Sequence, residues 1–285
     1  MDGRMKMLLE TTTETVKTGP GATQSKREVF RADAQGRRQL VESTQAETQT
    51  QNDGSSLRVA NTFSPDANGR LGLSIREVQE TKAVAPNVKQ TDTAIYHPGV
   101  NGPLRESERL RQTEQKVSAD LTQSESTRSR PDANGKWQVT EARSQEVRTA
   151  GAERVEEETV RRVNDSGTLE LSERKVTRQS KTNSEEQTVT EIYSQNVGGL
   201  FRRADNRLEL DRRERVTTNA SGETIREVEA RNPLAPNEPL RVIERTVETV
   251  RQVAPGQWET QRQVFAPDGN GRLVPVLSEK GASAK

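Results

Sequence analysis

The sequence predicts an all-β protein, a repetitive antiparallel β-hairpin meander of about eight units of ~33 residues. Its sheet is expected to be extended, twisted or coiled, with little conventional core. Three observations carry this reading: a recurring Gly-containing turn, an apolar residue at a fixed distance after it, and an aromatic residue at a fixed distance before it.

The turn is plainest at Asp66-Ala67-Asn68-Gly69, Asp132-Ala133-Asn134-Gly135 and Asp268-Gly269-Asn270-Gly271, with weaker copies at Asp33 to Gly36 and Asn164 to Gly167. Asp, Asn and Gly are the residues that tight hairpin turns select, because they tolerate or cap a positive φ. Two places after the turn glycine, or its equivalent, stand Arg38, Leu71, Leu104, Trp137, Leu169, Leu208, Leu240 and Leu273. The intervals are 33, 33, 33, 32, 39, 32 and 33 residues. Six places before it stand Phe30, Phe63, Tyr96, Tyr193 and Phe265, so five of the eight aromatics share one slot. A second set of turn signals lies midway through each unit, as in Gly19-Pro20-Gly21, Asn52-Asp53-Gly54 and Ala85-Pro86-Asn87.

The segments between turns are rich in Thr, Val and Gln. They alternate apolar and polar after the main turn, as in Leu71-Gly72-Leu73 and Leu169-Glu170-Leu171. That period of two lines one face of a strand, and no apolar stripe of period 3.6 is sustained. Roughly 15–17 strands follow, and a sheet of that width is expected to curl. Farther along each unit Glu108-Arg109, Glu173-Arg174 and Glu244-Arg245 are equivalent, with Arg76 and Arg213 in the arginine slot. Repetition on every second strand predicts charge ladders across the sheet.

Residues 1–18 are expected as a leading strand or cap and 19–275 as the repeat array. The array is irregular at 196–207 and 232–239, and 276–285 is expected as a flexible tail. The 39-residue interval brings an extra aromatic and two arginines, so Phe201, Arg202 and Arg203 form the candidate interaction loop.

Composition narrows the function classes. Hydrophobic residues are 29% and charged residues 31%, while 44 basic and 43 acidic side chains nearly cancel. Neutrality weakens a nucleic-acid reading, which needs a basic patch. Without cysteine there is no disulfide or thiolate metal site, and the one histidine, His97, sits beside a turn. No calcium loop is expected, since the turns lack a third acid and a later bidentate Glu. No apolar run approaches the ~20 residues of a spanning helix, and the apolar strand alternation is too short for a membrane barrel. Met1 to Leu9 lacks the apolar core of a secretory signal.

No catalytic residue, cofactor or metal is therefore expected. The reading is a non-enzymatic structural or surface protein, extracellular or at the cell surface. It would self-associate head-to-tail through edge strands into a fibre. The alternative is an adhesin-like module that binds a cell-surface or matrix ligand on a sheet face or an irregular loop.

Overall fold

A computed structural model describes residues 9–33, 36–66, 68–99, 102–197, 201–202, 207–235, 237–254 and 257–284. The protein is all-β, an open hairpin meander. Its strands are β1 (Leu9–Gly19), β2 (Ala22–Ala32), β3 (Arg38–Thr50), β4 (Ser56–Pro65), β5 (Leu71–Ala85), β6 (Val88–Pro98), β7 (Leu104–Lys116), β8 (Leu121–Pro131) and β9 (Trp137–Ala150). They continue as β10 (Glu153–Val163), β11 (Leu169–Lys181), β12 (Glu185–Ser194), β13 (Asn196–Val197), β14 (Phe201–Arg202), β15 (Glu209–Asn219), β16 (Glu223–Ala230), β17 (Arg241–Ala254), β18 (Gln257–Pro267) and β19 (Leu273–Ala284). Seventeen belong to one antiparallel sheet, and β13 and β14 form a separate small hairpin. The chain divides into two compact units, Met1–Gln115 with Glu125–Ala142, and Lys116–Ser124 with Arg143–Lys285.

The main turn works as its residues require. Asp66 Oδ1 accepts the amides of Asn68 and Arg70 at 2.8 and 2.9 Å, so the carboxylate caps two donors that would otherwise lack partners. Gly69 then takes φ +76°, where an L side chain would cost about 1–2 kcal/mol. Asp132, Asn164 and Asp268 make the same two bonds.

A regular β-bulge, not apparent in the sequence, follows seven of the main turns. Thr62 faces Ile75 but Phe63 faces Leu73, which leaves Ser74 unopposed. The same slip leaves out Val41, Ser107, Ser172, Asp211, Ile243 and Val276. Every one lies three residues after the post-turn slot. Where that residue is Ser, its hydroxyl donates to a carbonyl beside the bulge: Ser74 to Thr62, Ser107 to Ile95, Ser172 to Val160, at 2.9–3.1 Å. Thr140 does the same toward Arg128 at 3.3 Å. A bulge bends and twists its strand, so each of these hairpins is bent locally at the same place in the repeat.

The interior is thin. Ala46 faces Ala60 in the first unit, and the most deeply buried side chains are Val176 and Val228 in the second, at 2% and 1% exposure. The aromatic slot pairs with the residue two past the post-turn slot, as Phe30 with Leu40, Phe63 with Leu73 and Tyr193 with Leu210. Leu71, Leu104, Leu169 and Leu273 face Pro65, Pro98, Val163 and Pro267 at the strand ends. Leu208, Leu240, Tyr96, Phe265 and Trp137 are half-buried. Residues expected as a C-terminal tail lie instead in β19, paired with β18 from Pro267↔Leu273 to Gln257↔Ala284. Pro275 and Gly281 hid that strand from a propensity reading, but a terminal strand tolerates both because only one side must donate.

Candidate functional site

The first unit carries a groove of about 580 Å³ on one sheet face. Its floor holds Val78 on β5 and Ala94 on β6, which are register neighbours, and Ala94 faces Arg109 on β7 at the rim. Period-two alternation brings these residues to one face. Arg109 donates Nε and Nη2 to Glu106 at 2.8 and 2.9 Å, and its guanidinium lies 4.1 Å from the Trp137 ring centroid. Arg111 holds Asp92 at 2.7 Å, and Gln90 adds a second donor at 2.6 Å.

The bonds from Arg109 hold the Glu106 carboxyl below the usual carboxylate range. Burial pushes Asp92 up, but its bonds to Arg111 and Gln90 prevail and hold it low. Both therefore present fixed negative charge at neutral pH rather than a proton to donate. The groove offers an apolar floor and a planar cation stacked on an aromatic ring, which suits the binding of a planar or extended ligand. A second groove of about 430 Å³ lies near Glu14, Lys26 and Val59.

The second unit carries the predicted charge ladder. Arg174 grips Glu157 with two bonds of 2.8 and 3.0 Å and lies 5.7 Å from the Tyr193 ring. Glu191 is the hub, accepting from Arg178, from Arg213 and from the Tyr193 hydroxyl at 2.9–3.2 Å. Arg213 also reaches Glu229 at 3.4 Å. On the other face Arg226 joins Glu214 and Glu244. The arginine slot thus fills as expected: Arg174, Arg213 and Arg245 each reach a Glu on the preceding strand of the sheet, Arg174 diagonally and the other two directly across. Sheet twist, which sequence spacing does not encode, decides between direct and diagonal partners.

Of the candidate interaction loop, Phe201 and Arg202 form β14, in register with Val197 and Asn196, and Arg203 lies outside the described residues. The irregular stretch at 232–239 is tied down by Arg231. Its guanidinium donates to the Leu210 carbonyl at 2.9 and 3.2 Å and to the Glu238 carbonyl at 3.1 Å. Sequence reasoning passed over Arg231, and its only signal was a position just before the proline-rich break. His97 is exposed, with Nδ1 2.7 Å from the Ser107 hydroxyl. Among the described residues no cluster of three or more His, Cys, Asp or Glu could hold a metal ion.

These features define a class: a hairpin-repeat sheet stabilised by bulges, turns and charge ladders around a thin core. No family model matches the chain, and no curated protein matches it. Among solved structures it is similar to a crystallised protein of unknown function from Bacteroides fragilis. That match has 15% identity and TM-score 0.33, and covers 49% of this chain and 91% of that one.

Proposed function

We propose that the protein is a non-enzymatic structural scaffold whose copies associate through their terminal strands, growing into a fibre where both ends engage. The observation that carries this reading is the pair of long terminal strands. Among the described residues β1 pairs only with β2, and β19 only with β18. A strand edge with free amides and carbonyls is a template for another strand. Sedimentation over a wide concentration range, with electron microscopy at the top of it, tests the reading. Concentration-dependent growth is expected, and a monomer throughout overturns it.

The groove favours a second reading, a binding module that uses its sheet face. Saturable binding of an aromatic or extended ligand, lost on Arg109→Ala with the fold retained, supports that reading. Retained binding in this variant counts against it.

A further inference from the structure

Resting on the scaffold reading, we infer that β1 is a self-complementary edge that pairs antiparallel with β1 of a second copy about a two-fold axis centred on Thr13. Repeat phase gives the first reason. β1 runs into a mid-unit turn and β19 runs out of a main turn, so both are strands of the same sense in the repeat. Among the described residues each lacks a neighbour of the opposite sense, which the other cannot supply by simple head-to-tail translation. That arrangement would pair them in parallel. A two-fold axis normal to the sheet supplies the antiparallel neighbour and keeps like faces together.

The second reason is side-chain chemistry. Thr11, Thr13 and Thr15 share one face of β1, opposite Val29, Arg27 and Ser25 of β2. They are exposed, and among the described residues their hydroxyls make no side-chain hydrogen bond. Elsewhere the sheet uses threonine in facing pairs. Thr44 and Thr62, Thr81 and Thr91, and Thr218 and Thr224 are register partners with hydroxyls 3.0 Å apart, and Thr177 and Thr190 are 3.2 Å apart.

In the Thr13-centred register Thr13 meets its own copy and Thr11 meets Thr15, which continues that pattern. On the other face Thr12 meets Glu14 and Glu10 meets Val16, so no like charges are opposed. A shift of one residue along each strand toward the N-terminus places Glu10 against Glu14, and a shift toward the C-terminus places Glu14 against itself. β1 also lacks the proline that guards many edges, whereas β19 carries Pro275.

The chain has no cysteine, so single-cysteine variants report the register cleanly. Thr13→Cys is expected to form a disulfide-linked dimer under mild oxidation, several-fold more readily than Thr12→Cys or Thr15→Cys. Cα separations across antiparallel strands fall within disulfide reach. Thr13→Lys and Thr13→Glu are each expected to weaken dimerisation about tenfold in sedimentation, and an equimolar mixture of the two should restore it. Circular dichroism of each variant checks that the strands persist. Association that survives both charge variants, or crosslinking that favours Thr12→Cys or Thr15→Cys, overturns this interface and leaves the scaffold reading standing. A wild-type protein that stays monomeric overturns both.

Discussion

The two units use one repeat but different side chains to hold it. In the first unit, small residues meet across the strands, Ala46 against Ala60; the ion pairs at the groove rim sit on exposed arginines such as Arg109 and Arg111, while Glu108, 13% exposed, is shared by Arg128 and Arg130. In the second, carboxylates flank the most buried positions, since Val176 faces Glu157 on one side and Glu191 on the other. The Glu191 side chain is only 12% exposed, against 23% for Glu106 in the groove. A hairpin lattice can therefore be closed by small apolar contacts or by shared charge, and the two choices make different demands on pH and on new charge. Surface ion pairs contribute little singly, so the half-buried hub is where charge should matter.

The largest expected effect comes from adding a carboxylate to each kind of interior. Val176→Asp buries a charge directly opposite Glu157 and Glu191, and is expected to cost at least about 3 kcal/mol. Ala46→Asp is equally buried but faces Ser25 and Ala60, with no like charge opposite, so a loss of about 1–3 kcal/mol is expected. Hydrogen exchange resolves the units separately, read on β11 for one variant and β3 for the other. Equal losses would mean that the flanking carboxylates are irrelevant, and the contrast between the units would fall.

A smaller effect tests the hub through pH. Burial pushes the Glu191 carboxyl up, but bonds from Arg178, Arg213 and Tyr193 prevail, so in the folded protein it lies below the ordinary carboxylate range. A depressed folded value means that the stabilisation is complete above the unfolded pKa of about 4.3 and is lost as pH falls through the folded value. Glu191→Gln should therefore cost about 1–2 kcal/mol at pH 7, with the gap to wild type closing below pH 4. Glu106→Gln, with Arg109 more than half exposed, should cost less than about 1 kcal/mol. Exchange protection on β12 and β7 at pH 7 and pH 3 measures both. A pH-independent deficit for Glu191→Gln would assign the hub a packing role instead.

The sequence made the turns legible because Asp, Asn and Gly are chemically constrained at Asp66, Asn68 and Gly69. It also made the arginine slot legible, because Arg109, Arg174, Arg213 and Arg245 recur at one phase. The bulge stayed hidden because its slot holds Val41, Ser74, Asp211 and Ile243 alike, so no residue type marks it; the backbone sets it, and the side chain only adapts. The groove stayed hidden for a related reason. Val78, Ala94 and Arg109 come from three strands, and only the register across them makes a row.

That shared bulge yields the smallest effect and the sharpest limit on the contrast between the units. Ser74 in the first unit and Ser172 in the second each donate a hydroxyl to a carbonyl across the bulge, at 2.9 and 3.0 Å. Ser172→Ala removes that one hydrogen bond, worth about 0.5–1.5 kcal/mol, while Ser74→Ala also removes the bond that Ser74 accepts from the Ser64 hydroxyl at 3.2 Å. The bulge itself should survive, because Val41 and Ile243 occupy the same slot without a hydroxyl. The bond to the carbonyl is local to one hairpin, so Ser74→Ala made in a Ser64→Ala background and Ser172→Ala made in the wild type should cost the same within about 0.5 kcal/mol, whatever holds the faces on either side. Exchange protection on β4 and β10 reads the two costs. A clear inequality would mean that the bulge draws on its surroundings, and that the units differ in the repeat itself and not only in the side chains that close it.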